Sequence, residues 1–171
     1  MEGEKIMLLK EIETRRSIRK YTADPVTEEQ IREILEAAFW APTARNKQEW
    51  RFFVVTNREL LAKMAECNAY AAMTKDCAFA VVVGYEEGVN DRFGEVDCGA
   101  AIENMLLQAH HMGIGSVWCA VMPDSERDAD YRKVLDLPAG FRTVASVQFG
   151  VPAEERTAES RFDEAKVTFL R

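Results

Sequence analysis

Asp97-Cys-Gly-Ala-Ala-Ile-Glu-Asn-Met-Leu-Leu-Gln-Ala-His-His-Met112-Gly-Ile-Gly-Ser-Val-Trp-Cys-Ala-Val-Met122 sets a long helix directly before a strand. Ile102, Met105, Leu106 and Ala109 recur at three- and four-residue spacing, the apolar stripe of a helix over 97–112 whose start extends toward Arg92. Gly113 and Gly115 break that helix, and Ser116 to Met122 reads as a strand. On the N-terminal side, Cys77 to Gly84 is continuously apolar, as expected of a strand covered on both faces. Before it come a helix over Glu59 to Cys67 and a strand over Trp50 to Thr56. Thr27 opens a further helix, with Gln30 completing a capping box, Ile31, Ile34, Leu35 and Ala38 as its stripe, and Pro42 ending it. Glu4 to Arg16 carries Ile6, Leu8, Leu9 and Ile12 at helical spacing. On the C-terminal side, Glu126 to Leu135 is a short helix stopped by Leu137-Pro138, and Arg142 to Gly150 is a last core strand.

Helices and strands thus alternate through a mixed α/β chain without repeat or linker. Its 171 residues make one domain, long enough to bury a core without disulfide or metal. From Val151 onward the chain turns polar until Val167-Thr-Phe-Leu170. Such an arm is expected to lie across a partner or to add a strand to its sheet, which implies a dimer.

A net charge of −7 argues against wrapping nucleic-acid phosphates and against a polybasic membrane anchor. No apolar run is long enough to span a bilayer, and the first residues are acidic where a targeting signal would be basic, so a cytoplasmic location is expected. Cys67, Cys77, Cys98 and Cys119 contain no CxxC pair, so zinc and a dithiol couple are not expected. His110 and His111 are adjacent on a helix and point about 100° apart, which prevents them from sharing a metal. No phosphate loop, HExxH, nucleophile elbow or dinucleotide fingerprint is present; Gly113-Ile-Gly115 follows a helix and precedes a strand, the reverse of the fingerprint order.

Two segments remain. Arg15-Arg-Ser-Ile-Arg-Lys20 is a basic run whose guanidinium and hydroxyl groups suit a phosphate monoester; it equally suits a solvated helix end that complements the dipole. Ala41-Pro-Thr-Ala-Arg-Asn-Lys-Gln-Glu-Trp50 is an amide-rich loop of little bulk. It can hydrogen-bond the edge of a flat heterocycle, or serve as an ordinary helix-to-strand connection with Asn46 in a turn.

In this order and spacing the two segments resemble the nitroreductase-like family of FMN-dependent oxidoreductases. The likeness continues through Asp97 and its helix, Gly113-Ile-Gly-Ser-Val-Trp118, Phe149-Gly-Val-Pro152 and Arg161, and so covers almost the whole chain. It implies an α+β fold with a central mixed, largely antiparallel sheet flanked by helices. Residues 1–171 would form one FMN-binding domain, with about 151–171 swapped onto the partner of a homodimer. Arg15, Arg16, Ser17 and Arg19 look like the clamp on the FMN phosphate and ribityl chain, and Arg161 like the C-terminal arginine that returns to it. Pro42, Thr43, Ala44, Asn46 and Gln48 look like the loop that reaches the isoalloxazine from the other subunit. Trp118, Cys119, Ala120 and Val121 align with the stretch that passes over the ring near N5. Asn68 and Lys75 are candidates for the amide and lysine that some members send to the flavin. Glu49 stands where many members carry Pro, and Val121 where many carry Gly. The short connection between the Val81 strand and the long helix implies a site that is open or roofed by the partner.

The resemblance implies ping-pong hydride transfer from NAD(P)H through flavin N5 to a nitroaromatic, quinone or similar electrophile. No side-chain acid, base or nucleophile is needed, since the cofactor carries the chemistry. The alternatives are an FMN-binding module without turnover, and a specialised chemistry such as reductive dehalogenation.

Overall fold

The computed structural model describes residues 8–89 and 92–171. Among these residues five helices and four strands follow in the order α1 (Lys10–Thr14), α2 (Glu28–Phe39), β1 (Trp50–Val55), α3 (Arg58–Glu66), β2 (Phe79–Glu86), α4 (Gly94–His111), β3 (Gly115–Ala120), α5 (Glu126–Leu135) and β4 (Phe141–Gly150). The strands form one sheet in the order β1-β2-β4-β3. Every ladder is antiparallel, so the expected mixed character narrows to one isolated parallel bridge, Ser17 to Ser116.

β2 is central and buried on both faces, which is why its sequence does not alternate. Phe79, Val81 and Val83 pack with Ala145, Val147 and Phe149 of β4 beneath α2 and α4. Ala80 and Val82 face the opposite layer, where Leu61, Met64, Tyr131 and Phe141 belong to the second core. Phe79 and Phe149 stack with centroids 4.7 Å apart and ring planes 7° from parallel. β2 starts two residues later than the apolar run, because Cys77 caps the 3-10 stretch Ala69–Asp76, its thiol and N–H both donating to Thr74 O.

The Thr27–Gln30 capping box forms as the sequence predicts. The helix expected over Glu4 to Arg16 is Lys10–Thr14 among the described residues, and its positions 4–7 lie outside them. Arg15 is already extended (φ −58°, ψ 132°), because the chain leaves α1 to run beside β3. Val167 to Leu170 joins no ladder of its own chain; the arm's one turn is the 3-10 stretch Glu164–Lys166. Among the described residues no helix is long and apolar enough to cross a membrane, and the four cysteines are free.

Candidate functional site

α4 ends in a Schellman motif. Gly113 N–H bonds His110 O at 3.0 Å, Ile114 N–H bonds Ala109 O at 2.8 Å, and Gly113 takes φ +74°, a conformation that suits glycine. The chain reverses there straight into β3. At Gly115 the extended segment after α1 comes so close that an added Cβ would sit 2.9 Å from Ile18. Ile18 N–H bonds Ser116 O at 2.9 Å. The Gly-Ile-Gly-Ser sequence therefore exists to turn the helix and to admit residues 15–19 alongside β3. The basic run is an extended segment, which removes the helix-end interpretation of it.

α1 is pinned to the last turn of α4 by the paired histidines. His110 Nε2 lies 2.7 Å from Thr14 Oγ1, and His111 Nδ1 lies 2.8 Å from Glu11 Oε1. The bond from His111 is the main reason the Glu11 carboxyl titrates below the ordinary range. The histidines thus point to different partners, as their adjacency on a helix requires.

Arg15 pairs with Glu103 of α4 at 3.4 Å. Arg16 donates from Nη1 to Arg15 O at 2.6 Å and from Nη2 to Ala158 O at 3.3 Å, while its Nε is buried with no partner. Both arginines line a cavity of about 340 Å³ with His110, Gly113 to Ser116, and Glu154 to Thr157. Ser17 sits at its edge through the bridge to Ser116. Arg19 goes elsewhere. It lines a separate cavity of about 710 Å³ with Lys20, Tyr21, Arg58 and Cys77. Its backbone N–H, with that of Lys20, donates to Glu154 Oε1 (2.7 and 3.2 Å) and holds the Glu154 carboxyl below its ordinary range. Arg161 is exposed on the arm and lines neither cavity.

Strand alternation separates the residues expected near the ring. Trp118 and Ala120 face the α4 side, in register with Val147 and Ala145. Trp118, 39% exposed, lies over Gly99 with room for no more than a methyl between them. Cys119 points to the other face, buried against Ala71 and Val117, where burial pushes its thiol up. Only its backbone can share a ligand with Trp118. Val121 is buried. Asn68 is buried as well; its carboxamide caps Tyr70 N–H at 3.0 Å and donates to Ala120 O at 3.4 Å. Lys75 is exposed.

The loop after α2 is held under backbone strain. Arg45, Asn46 and Gln48 have φ of 59°, 54° and 50°, each in a left-handed conformation that disfavours residues other than glycine and asparagine. Asp97, in the first turn of α4, accepts the Ala44 N–H at 2.9 Å, and Thr43 Oγ1 accepts the Gln48 N–H at 3.2 Å. The Gln48 amide donates to Asn46 Oδ1 at 2.8 Å, so both side chains lie exposed together above the loop, while Pro42 is exposed before it. The turn after β3 carries the same signature, with Met122 at φ 69° and Asp124 at φ 60°. It is held by Val121 and Met122 N–H to Val144 O, and by Arg142 clasping the Asp124 carboxylate at 2.9 and 2.5 Å. Within one chain the Pro42–Gln48 loop lines neither of the basic cavities.

Arg127, at the start of α5, was not legible as a site residue. Its Nη1 donates to Ala120 O at 3.3 Å and its guanidinium lies over the Tyr70 ring, 5.4 Å from the centroid. The one signal in the sequence is a cation placed in the first turn of a helix, where the dipole disfavours it.

The sequence profile described as the nitroreductase family matches residues 12–69 and 65–151. A relative from Methanothermobacter thermautotrophicus, provisionally named an NADH dehydrogenase/NAD(P)H nitroreductase, is 38% identical over 165 residues, covering 95% of this chain and 86% of its own. An FMN-dependent nitroreductase from Clostridium difficile superposes with a TM-score of 0.87 at 29% identity, over 94% of this chain and 98% of that one. A provisionally named nitroreductase from Desulfovibrio desulfuricans, solved in complex with FMN, superposes at 0.76 with 30% identity over 94% of both chains.

Proposed function

This chain belongs to the nitroreductase family, and on that footing we propose that it is an FMN-dependent oxidoreductase passing hydride from NAD(P)H to a nitroaromatic, quinone or related electrophile by a ping-pong mechanism. The observation that carries the proposal is where the backbone strain lies. Of the six non-glycine residues with positive φ among the described residues, three fall in the loop expected at the ring, 42–48, and two more, Met122 and Asp124, in the turn that directly follows the 118–121 stretch. Strain of this kind persists where the surroundings over-determine it, and it collects at ligand clamps.

The donor set fits the cofactor. Arg15, Arg16 and Arg156 line one cavity beside Glu154 and Glu155, basic side chains that suit a phosphate, and the Arg16 Nε–H behind it is buried without a partner. β3, roughly 17 Å from Gly115 to Ala120 at strand rise, leads from that cavity past Trp118 to Ala120, where Asn68 and Arg127 converge on one carbonyl. FMN, when bound, supplies a carrier that accepts hydride at N5 and releases it to the electrophile. The protein's part is positional. Arg15, Arg16 and Ser17 bind the phosphate end, while Arg19 lines the neighbouring cavity with Lys20 and Arg58. Trp118, Cys119 and Ala120 offer backbone and one flat side chain along the ring. Reductant and acceptor then occupy one face in turn, so no side chain has to hold a proton.

The homodimer belongs to the same proposal. Phe169 and Leu170 at the end of the arm are 76% and 94% exposed, and β1 is an open sheet edge with Val54 exposed beside it. A groove of about 850 Å³ between α1, α2 and α4 presents Leu9, Ile12, Trp40 and Leu107. These surfaces suit a partner copy that receives about residues 159–171 and returns Pro42, Thr43, Ala44, Asn46, Gln48 and Arg161 to each site. The arm expected over 151–171 shortens because residues 151–158 bind their own chain through the Tyr21–Pro152 bridge, the Glu154 carboxylate and Ala158 O. Residues 1–171 then act as one domain. Double-reciprocal plots against NAD(P)H at several fixed quinone concentrations test the mechanism: parallel lines support ping-pong transfer, and lines that intersect contradict it.

A further inference from the structure

Tyr70 is 75% exposed. It stands on the 3-10 stretch Ala69–Asp76, fixed by Asn68 accepting its N–H and by its own carbonyl receiving the Cys119 thiol at 3.6 Å. Arg127 lies across the ring. The bond to Ala120 O occupies one of the five guanidinium N–H donors, and Arg127 enters no ion pair among the described residues. Its acidic neighbour Asp128 is engaged by Arg132 at 2.9 Å and by the Asp124 N–H at 3.3 Å. A guanidinium stacked on an aromatic ring keeps its edge free to bind a planar or tetrahedral oxyanion. In a chain of net charge −7, an anionic ligand is repelled at long range and depends on local cations of this kind.

We infer that Tyr70 and Arg127 form a recognition platform for an oxyanion carried on a flat ligand, either a phosphate of the dinucleotide or a carboxylate on an aromatic acceptor. Tyr70 supplies the stacking surface and Arg127 the charge-assisted donors. The inference rests on the oxidoreductase proposal and makes Arg127 a specificity-determining residue within it. It does not involve the residues assigned to the FMN phosphate.

The test uses purified holoprotein, wild type against Arg127→Gln, Arg127→Lys and Tyr70→Ala, with FMN content measured for each. Two readouts are taken: KM for NADH, NADPH, 4-nitrobenzoate and nitrobenzene, and the dissociation constants of NADP+ and 4-nitrobenzoate from their perturbation of the oxidised flavin spectrum. Arg127→Gln should raise the constants of the anionic ligand about tenfold relative to nitrobenzene, the size of one lost charge-assisted bond, with Arg127→Lys between it and wild type. A rise confined to the dinucleotides identifies the phosphate, and one confined to 4-nitrobenzoate identifies the carboxylate. Constants unchanged in Arg127→Gln, or raised equally for nitrobenzene, overturn the inference while leaving the oxidoreductase proposal intact. Wild-type protein that takes up no FMN overturns both.

Discussion

Replacing Asp97 by alanine should loosen the Pro42–Gln48 loop without dismantling the fold. Asp97 is buried at the first turn of α4 and its Oδ2 accepts the Ala44 N–H at 2.9 Å. A hydrogen bond to a charged group contributes about 2 kcal/mol. For a domain of this size that corresponds to a melting temperature about 4–8 °C lower. Asp97→Asn keeps an acceptor oxygen and should lose about half as much. The local effect is larger than the global one. Arg45 and Gln48 hold positive φ at roughly 1–2 kcal/mol each, Asn46 adopting it more readily, so the loop sits about 2–4 kcal/mol above a relaxed backbone. Removing an anchor of about 2 kcal/mol releases a substantial part of that strain. Limited trypsin digestion reads this directly, because Arg45 and Lys47 lie in the loop and are exposed. Cleavage there should accelerate in Asp97→Ala well beyond the change at other sites, and FMN affinity should fall. A melting temperature within 1 °C of wild type, together with an unchanged digestion pattern, would refute the idea that α4 clamps the loop.

Further expectations follow from other parts of the molecule. Arg15→Ala combined with Arg16→Ala should strip FMN while far-UV circular dichroism stays native; unchanged flavin content would remove these residues from the clamp. Deleting residues 159–171 should convert a dimer to a monomer in sedimentation velocity and reduce FMN retention, whereas a truncated dimer would show that the arm is not the joining element. Burial pushes Cys77 and Cys98 to about 12 and also raises Cys119 and the partly exposed Cys67. Iodoacetamide at pH 8 should therefore label only Cys67, and slowly, until denaturant is added; mass spectrometry counts the adducts. The Glu11 and Glu154 carboxyls titrate lower in the folded chain than their ordinary value. A depressed carboxyl contributes stability above its unfolded pKa and loses it as pH falls through the folded one. The acid limb of a stability-versus-pH curve should thus flatten in Glu11→Gln with Glu154→Gln, and an unaltered limb would contradict the two contacts.

What was legible in the chain and what was not divides along physical lines. The Thr27–Gln30 cap, the α5 bounds at Glu126 and Leu135 and the doubly covered β2 are local or composition-driven, and they fall where the residues put them. The stretch Ala69–Asp76 escaped because its Ala- and Met-rich sequence carries no clear period, and its 3-10 turns are held by Asn68, Thr74 and Arg58 rather than by a stripe. The basic run looked compatible with a helix end because nothing local ends α1 at Thr14. The terminator is tertiary, the bridge from Ser17 to Ser116 nearly a hundred residues on.

The candidate site divides in the same way. Which segments matter could be read from motif order, and the strained backbone of 45–48 falls in one of them, while that of Met122 and Asp124 lies just past the 118–121 stretch. Their grouping in space could not. Arg15 and Arg16 share one cavity while Arg19 lines another, and strand alternation sends Cys119 to the face opposite Trp118. Arg127 and Tyr70 meet only because α5 and the 3-10 stretch both begin beside Ala120.

The most direct measurement is an anaerobic visible spectrum of the purified protein, taken before and after NADH and then NADPH, followed by addition of a quinone or nitroaromatic. The account predicts a bound flavin that bleaches with at least one dinucleotide and regains its colour with the acceptor. A bound flavin that stays yellow with both would mean a binding module without turnover, and a colourless protein unable to take up FMN would contradict the assignment altogether.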